Sequence, residues 1–245
     1  MPKNGSQFVK FIAFDTSTDV MSIALTDGAR VWQHTGPGGA KASTTLIPAI
    51  LALLAEAGLA LGDLQAIAFG RGPGSFTGLR TACAVAQGLA FGAKDGVGIP
   101  VLPMDTLMAV AEEARLLHDC GHITALLDAR MDEMYVQRYT CSQGVLTPLG
   151  DCELIRPEAL ASEPGTLYAG NVFEVYRGRL PEGLTSAACL PTATAMLRLA
   201  PRLAASGHCV AADQALPLYV RDKVAQTTAE REQIKALKLQ NLPTS

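Results

Sequence analysis

Charge is scarce in this chain of 245 residues, and the two signs nearly cancel. Lys and Arg number 20 against 23 Asp and Glu, only 18% of residues are charged, and the formal net charge is -3. That excludes a nucleic-acid binder acting alone through a broad basic face. Long apolar runs are missing too: the longest uncharged stretches, Ala42 to Ala55 and Gly183 to Leu197, fall short of the roughly 18 to 20 residues of a membrane span. Met1 to Lys10 lacks an apolar segment followed by a small-residue cleavage site, so no secretory leader is expected and the cytoplasm is the default location. The six cysteines, Cys83, Cys120, Cys141, Cys152, Cys189 and Cys209, include no C-x-x-C pair. They suggest neither a zinc site nor a disulfide framework and read as small apolar core residues. The four histidines form no ligand cluster; His118 and His122 are four apart, but Gly121 ends the helix that would align them. No metal site is expected.

With 49% hydrophobic residues the chain must bury a sizeable core, and its length suits two lobes. Phe8 to Phe14 reads as a strand ending in the polar turn Asp15-Thr16-Ser17-Thr18. Met21 to Thr26 is a second strand, Asp27-Gly28 a hairpin turn, and Val31 to Thr35 a third strand. After Gly36-Pro37-Gly38-Gly39, the residues Leu46, Ile50, Leu53, Leu54 and Ala57 recur at helical spacing up to Gly58. Thr44 or Thr45 can cap that helix, and Pro48 either lies in its first turn or kinks a longer helix. A strand at Ala66 to Phe69, a helix over 75–92, a strand at Ile99 to Leu102 and a helix from Asp105 to His118 follow. A similar order then begins again: strands at Ile123 to Leu127 and Glu133 to Thr140, a helix near Pro157 to Ala161, a strand ending at Gly170 before a helix, and a helix from Thr192 to Ala205. The expected division is an N-terminal lobe over 1–108, a C-terminal lobe over 109–225 and a polar tail over 226–245.

Two loops carry candidate chemistry. Asp15-Thr16-Ser17-Thr18 stands where phosphate-binding loops of actin-like ATPases carry Asp-x-Gly-Ser/Thr. Ser17 occupies the glycine position, where a Cβ crowds the close approach a phosphate needs, so a hydrogen-bonded hairpin turn is the competing reading. The second loop, Gly70 to Arg80, contains Gly72, Gly74, Ser75, Thr77 and Gly78 between a strand and a helix, a place where anions bind. Its spacing fits no standard phosphate loop, dinucleotide fingerprint or nucleophile elbow. Ser75 reads as an N-cap, and the glycines as close backbone packing against another surface. The acidic stretch Asp128 to Glu133 reads as a solvated turn. From Arg221 to Gln240, five basic residues (Arg221, Lys223, Arg231, Lys235, Lys238) face three acidic ones, enough for a few phosphate contacts within a larger assembly.

The two helices of the first lobe are apolar nearly all round. Phe76, Leu79, Cys83 and Ala86 follow one face of the second, and Ala82, Val85 and Leu89 a neighbouring one; Thr81 to Ala93 has no charge. One face of each helix covers the sheet, and the other needs a cover, either the other helix or a partner subunit.

Phe11-Ile12-Ala13-Phe14-Asp15, Ser22 to Leu25, Gly72-Pro73-Gly74-Ser75-Phe76-Thr77-Gly78, Asp128-Ala129-Arg130-Met131 followed by Tyr135, and Pro217 to Arg221 together resemble the TsaB family, also called YeaZ. The resemblance covers most of Val9 to Arg221. It implies a two-lobed actin-like ATPase (ASKHA) fold, each lobe a mixed α/β sheet flanked by helices, and a part in making threonylcarbamoyladenosine in tRNA. In that family TsaC forms threonylcarbamoyl-adenylate, TsaD transfers the group to adenosine, and TsaB is a catalytically silent relative that TsaD requires, with the ATPase TsaE joining the pair. The implied partners are TsaD, TsaE and, more remotely, TsaC, with a homodimer when alone, tRNA met only within the complex, and no membrane. The two metal-binding histidines of TsaD correspond here to Pro103 and Leu107. No cofactor of its own is expected, a nucleotide at the interface with TsaD being left open. The interface expected from the helices comprises Leu46, Ile50, Leu53 and Leu54 with Phe76, Leu79, Ala82, Cys83, Val85, Ala86 and Leu89. Ala42 departs from a frequent family His, and Asp132 from a frequent Gly. The rival reading is a nucleotide-binding or ATP-hydrolysing enzyme of the same fold, using Asp15, Thr16 and Thr18 at the phosphates.

Overall fold

A computed structural model describes residues 10–118 and 120–221. The expected tail over 226–245, and the start of the first expected strand, lie outside them. The first lobe runs β1 (Phe11–Asp15), β2 (Val20–Thr26), β3 (Val31–Pro37), α1 (Ala42–Ala57), β4 (Ala66–Gly72), α2 (Phe76–Gly92), β5 (Val101–Asp105) and α3 (Thr106–Leu117). Its sheet has the order β3-β2-β1-β4-β5, antiparallel among the first three strands and parallel from β1 through β4 to β5. β1 is buried at all five positions, as a strand covered on both faces must be. Alternation sorts its neighbours by size. Ile12, Phe14, Ile23, Leu25, Ile67 and Phe69 face α1 and α2, whereas Ala13, Ala24, Ala66 and Ala68 form a shallow face on the other side.

The second half repeats the plan with β6 (His122–Arg130), β7 (Glu133–Ser142), β8 (Val145–Ile155), β9 (Thr166–Gly170), β10 (Ser186–Ala188) and α4 (Ala193–Ala205), its sheet ordered β10-β9-β6-β7-β8. In both sheets the first strand lies between the second and fourth, with the third and fifth at the edges. The expected helix near Pro157 is only a 3-10 turn, Pro157–Ala159, and β8 and β10 were not anticipated. Pro148, Gly150 and Asp151 disguise β8 as a loop. It persists as an edge strand because Gln137 sits at a register shift and donates its amide to the Leu149 and Gly150 carbonyls at 3.3 and 3.1 Å.

The lobes interlock. Leu107, Val110, Ala111 and Ala114 of α3 join the core of the second sheet, while Ala109 joins the cluster on the alanine face of the first. α4, capped by the Thr192 hydroxyl on the Ala195 amide at 3.1 Å, packs back onto that alanine face. Val210 bridges to Val101, and Ala212 and Ala215 enter the first core. The expected division at 108/109 therefore falls inside α3, and the chain returns to the first lobe at its end. Where α3 meets α4, Glu112 is 2% exposed. Its carboxylate takes Arg115 in a bidentate pair at 2.7 and 2.8 Å and Arg198 at 3.0 Å, while Arg198 also reaches Glu113 at 2.9 Å.

α1 begins at Ala42, without a side-chain cap, straight from a 3-10 turn at Gly39–Lys41. Thr44 and Thr45 thus lie inside its first turn, and Pro48 lies within the longer of the two expected helices. By length and composition alone Gly39–Ala57 would pass for a membrane span, which the uncharged-run count did not anticipate. Ala42, Leu46, Ile50, Leu53 and Leu54 anchor it instead in the first core.

Candidate functional site

Asp15 ends β1 with its side chain turned inward. Fully buried, its Oδ1 accepts the Ser17 amide at 2.8 Å and hydroxyl at 2.6 Å, and its Oδ2 accepts the Thr106 hydroxyl at 3.2 Å. Burial pushes the carboxyl above its usual range, opposed by the Ser17 hydroxyl and amide and then by Thr106. Thr16 is also fully buried, its hydroxyl donating to the Gly78 carbonyl at 2.7 Å. Ser17 and Thr18 alone of the turn line the cleft between the lobes.

The glycine-rich loop is docked onto this turn. The Ser75 amide donates to the Ser17 carbonyl at 2.7 Å. A Cβ on Gly74 would lie 2.6 Å from Ser17 Cβ, one on Gly70 would overlap the Asp15 carboxylate, and one on Gly78 would overlap the Thr16 carbonyl. The glycines are close backbone packing, as their number suggested, and Ser75 caps α2 toward the Gly78 amide. Thr77 is exposed, its carbonyl accepting the Thr81 hydroxyl at 3.0 Å. Gly78→Ala should destabilise the chain by about 3 kcal/mol in urea unfolding, because the colliding atom is backbone and cannot rotate away.

Asp15 gives a pH signature. The folded chain holds its proton more tightly than the unfolded chain does, so stability is full below the ordinary carboxylate pKa and declines as pH rises through the raised one. Asp15→Asn should therefore gain stability over the parent at neutral pH. Denaturation curves collected across pH should show that gain vanishing in acid.

The segment 216–221 runs between the lobes. The Leu218 amide donates to the Arg71 carbonyl at 2.7 Å, and Gly72, at φ 120°, lets the Leu218 carbonyl come close. Arg221 pairs with Glu133 at 2.7 Å and donates to the Ala129 and Arg130 carbonyls. On one side lies a cleft of about 320 Å³, lined by Ser17, Ser75, Asp128, Arg130 and Tyr219 among others. The Phe76 and Tyr219 rings stand 5.4 Å apart at its rim, with Arg80 over Phe76 at 4.4 Å, and Arg130 reaches across to Asp19 at 2.9 Å. Of the acidic stretch, Arg130 to Asp132 is the exposed turn expected between β6 and β7, but the Asp128 side chain is 6% exposed and accepts the Tyr176 hydroxyl at 2.7 Å and the Arg130 amide at 2.9 Å. Asp132 sits at φ 61°, the left-handed region that explains the frequent family Gly, and pairs with Arg179 at 2.7 Å. Among the described residues no group of three or more His, Cys, Asp or Glu could hold a metal; α3 ends before His118, and His122 opens β6.

The expected interface needs correcting by face. Leu46, Ile50, Leu53, Leu54, Ala82, Cys83 and Ala86 are buried in the first lobe's own core, and Leu79 is buried on the wall of the cleft. Of the residues named, Phe76 is exposed and Val85 and Leu89 are half-buried. The outward side of α1 carries Ile47 and Leu51, 43% and 50% exposed, which the sequence reading missed. On α2, Ala84 and Gly88 are exposed and small, and Phe91 is 55% exposed. Only 28% of the most apolar window of Gly39–Ala57 is buried.

Two sheets of one topology, joined by crossing helices with a cleft between them, define a protein of the actin-like ATPase (ASKHA) fold. The family TsaD, tRNA N6-adenosine threonylcarbamoyltransferase, matches residues 37–235. The tRNA threonylcarbamoyladenosine biosynthesis protein TsaB of Haemophilus influenzae is 34% identical over 231 residues, 89% of this chain and 96% of that protein. Its counterpart in Escherichia coli is 31% identical over 227 residues, with the same coverage. The solved structure of YeaZ from Pseudomonas aeruginosa superposes with a TM-score of 0.78 at 38% identity, covering 86% of this chain and all of that one. The chain belongs to the TsaB/YeaZ family.

Proposed function

We propose that this protein serves tRNA threonylcarbamoyladenosine biosynthesis in the cytoplasm as a non-catalytic subunit that binds and activates TsaD, with TsaE joining the pair. The observation that carries this reading is the uncovered apolar side of α1, where Ile47 and Leu51 stand exposed, together with the exposed small residues Ala84 and Gly88 of α2. Small residues let a partner helix approach closely, and the same face would pair two copies when TsaD is absent. The family match to TsaD and the curated relatives named for this pathway support the assignment. The burial of Asp15 and Thr16, locked by the glycine-rich loop, speaks against nucleotide chemistry at the first turn. The test is tRNA modification reconstituted from TsaC, TsaD, TsaE and this chain. Omitting the chain should abolish the product, while Asp15→Asn, confirmed as folded by its stability curve, should support it at the parent rate. A loss of tenfold or more with Asp15→Asn would instead favour phosphate chemistry at that carboxylate.

A further inference from the structure

On the far side of the 216–221 segment, between the ends of β4 and β5 and the β7–β8 pair, lies a second cavity of about 420 Å³. Two side chains more than nine-tenths buried face it with unmet hydrogen-bonding capacity. Tyr139 is 2% exposed, and its hydroxyl has no partner among the described residues. Gln137 is 7% exposed; its amide nitrogen donates to the carbonyls of Arg138, Leu149 and Gly150, while its Oε1 accepts nothing. Neither oxygen is sealed in protein, so each opens on the cavity. Two such oxygens on one cavity offer whatever fills it a hydroxyl that donates and accepts and an amide oxygen that accepts. Burial, then the nearby Asp105 charge, pushes the Tyr139 phenol far above its usual range, keeping it a neutral donor. Burial likewise pushes the Cys152 thiol on the cavity wall up to about 12, so it adds bulk without charge.

The mouth carries opposite charges side by side. Arg71 Nε donates to Asp105 Oδ1 at 2.6 Å, and the two side chains are 40% and 36% exposed. The two Nη groups of Arg71 and Oδ2 of Asp105 have no partner among the described residues. The two charges answer each other, so a singly charged ion gains from one partner and is repelled by the other; a ligand with both charges on adjacent atoms can engage the open Nη groups and Oδ2 at once.

We propose that this cavity binds a free α-amino acid with a short side chain bearing a hydroxyl or amide. Its carboxylate meets the Nη groups of Arg71, its ammonium meets Asp105 Oδ2, and its side chain reaches the Tyr139 hydroxyl and Gln137 Oε1. The volume lies within the range of small-molecule sites. The inference stands apart from the role proposed above.

Isothermal titration of the full chain with serine, threonine, asparagine and alanine, and with acetate and putrescine as single-charge probes, tests it. Expected is saturable one-to-one binding of at least one hydroxyl or amide amino acid, weaker binding of alanine, and none of acetate or putrescine. Arg71→Gln and Asp105→Asn, both at solvent-accessible positions, should each weaken it at least about tenfold. Tyr139→Phe should narrow the preference over alanine. Absence of saturable binding by every amino acid would overturn the proposal, as would equal binding of either single-charge probe or unchanged affinity in both mouth variants.

Discussion

Leu51→Asp should leave this chain folded and abolish its association with TsaD. Leu51 is half exposed on the outward side of α1, so a carboxylate there stays hydrated in the free chain, and its effect on stability should be within about 0.5 kcal/mol. Covered by a partner, the same carboxylate is desolvated without a counter-charge. That costs at least about 2 kcal/mol, or roughly thirtyfold in affinity, for a position near the centre of an apolar contact. tRNA modification should fall with the association. The contrast with Leu46→Asp or Ala82→Asp is sharp, since both of those side chains are 0% exposed and a charge there should unfold the lobe itself. A thermal melt alongside the binding assay separates the two cases, and unimpaired association of folded Leu51→Asp would refute the assigned face.

Glu112→Ala should cost about 3–5 kcal/mol of stability, the largest loss expected from any single ion-pair change between α3 and α4. The carboxylate is nearly sealed and answers both Arg115 and Arg198; removing it leaves two half-buried arginine side chains without their shared anion, Arg198 keeping only Glu113. At roughly 2–4 °C per kcal/mol for a chain of this size, the melting temperature should fall by about 10 °C. Glu174→Ala is the control. Its pair with Arg177 is three-quarters exposed on both sides and should be worth under about 1 kcal/mol. A loss near 1 kcal/mol for Glu112→Ala would mean that the α3–α4 junction is held by its apolar contacts alone.

Much of the first lobe was legible because its signals are local. Asp27-Gly28 sets the β2–β3 turn, its carboxylate accepting the Ala29 and Arg30 amides, and Gly58 ends α1 in the left-handed region. Ser75 caps α2 as its position suggested, and α4 starts where it was expected, with Thr192 as its cap. What escaped was set by distant contacts. β8 reads as a loop, and its pairing depends on Gln137 from the neighbouring strand. The glycine-rich motif was readable as close packing, but not that its counterpart is the Asp15 turn some 60 residues earlier. The faces of α1 were interchanged for a simpler reason. A helix apolar on nearly every side carries little directional information, and only the position of the sheet decides that Leu46 and Ile50 point in while Ile47 and Leu51 point out. The Arg71–Asp105 mouth and the unpartnered Tyr139 hydroxyl left no trace in the sequence, since β5 and β7 meet only through the tertiary fold.

Light scattering behind size-exclusion chromatography, on this chain alone and mixed with TsaD from the same source, tests the central claim most directly. The outward face of α1 and α2 predicts a homodimer that gives way to a heterodimer when TsaD is added, both lost in Leu51→Asp. A chain that stays monomeric and passes TsaD by would contradict the account.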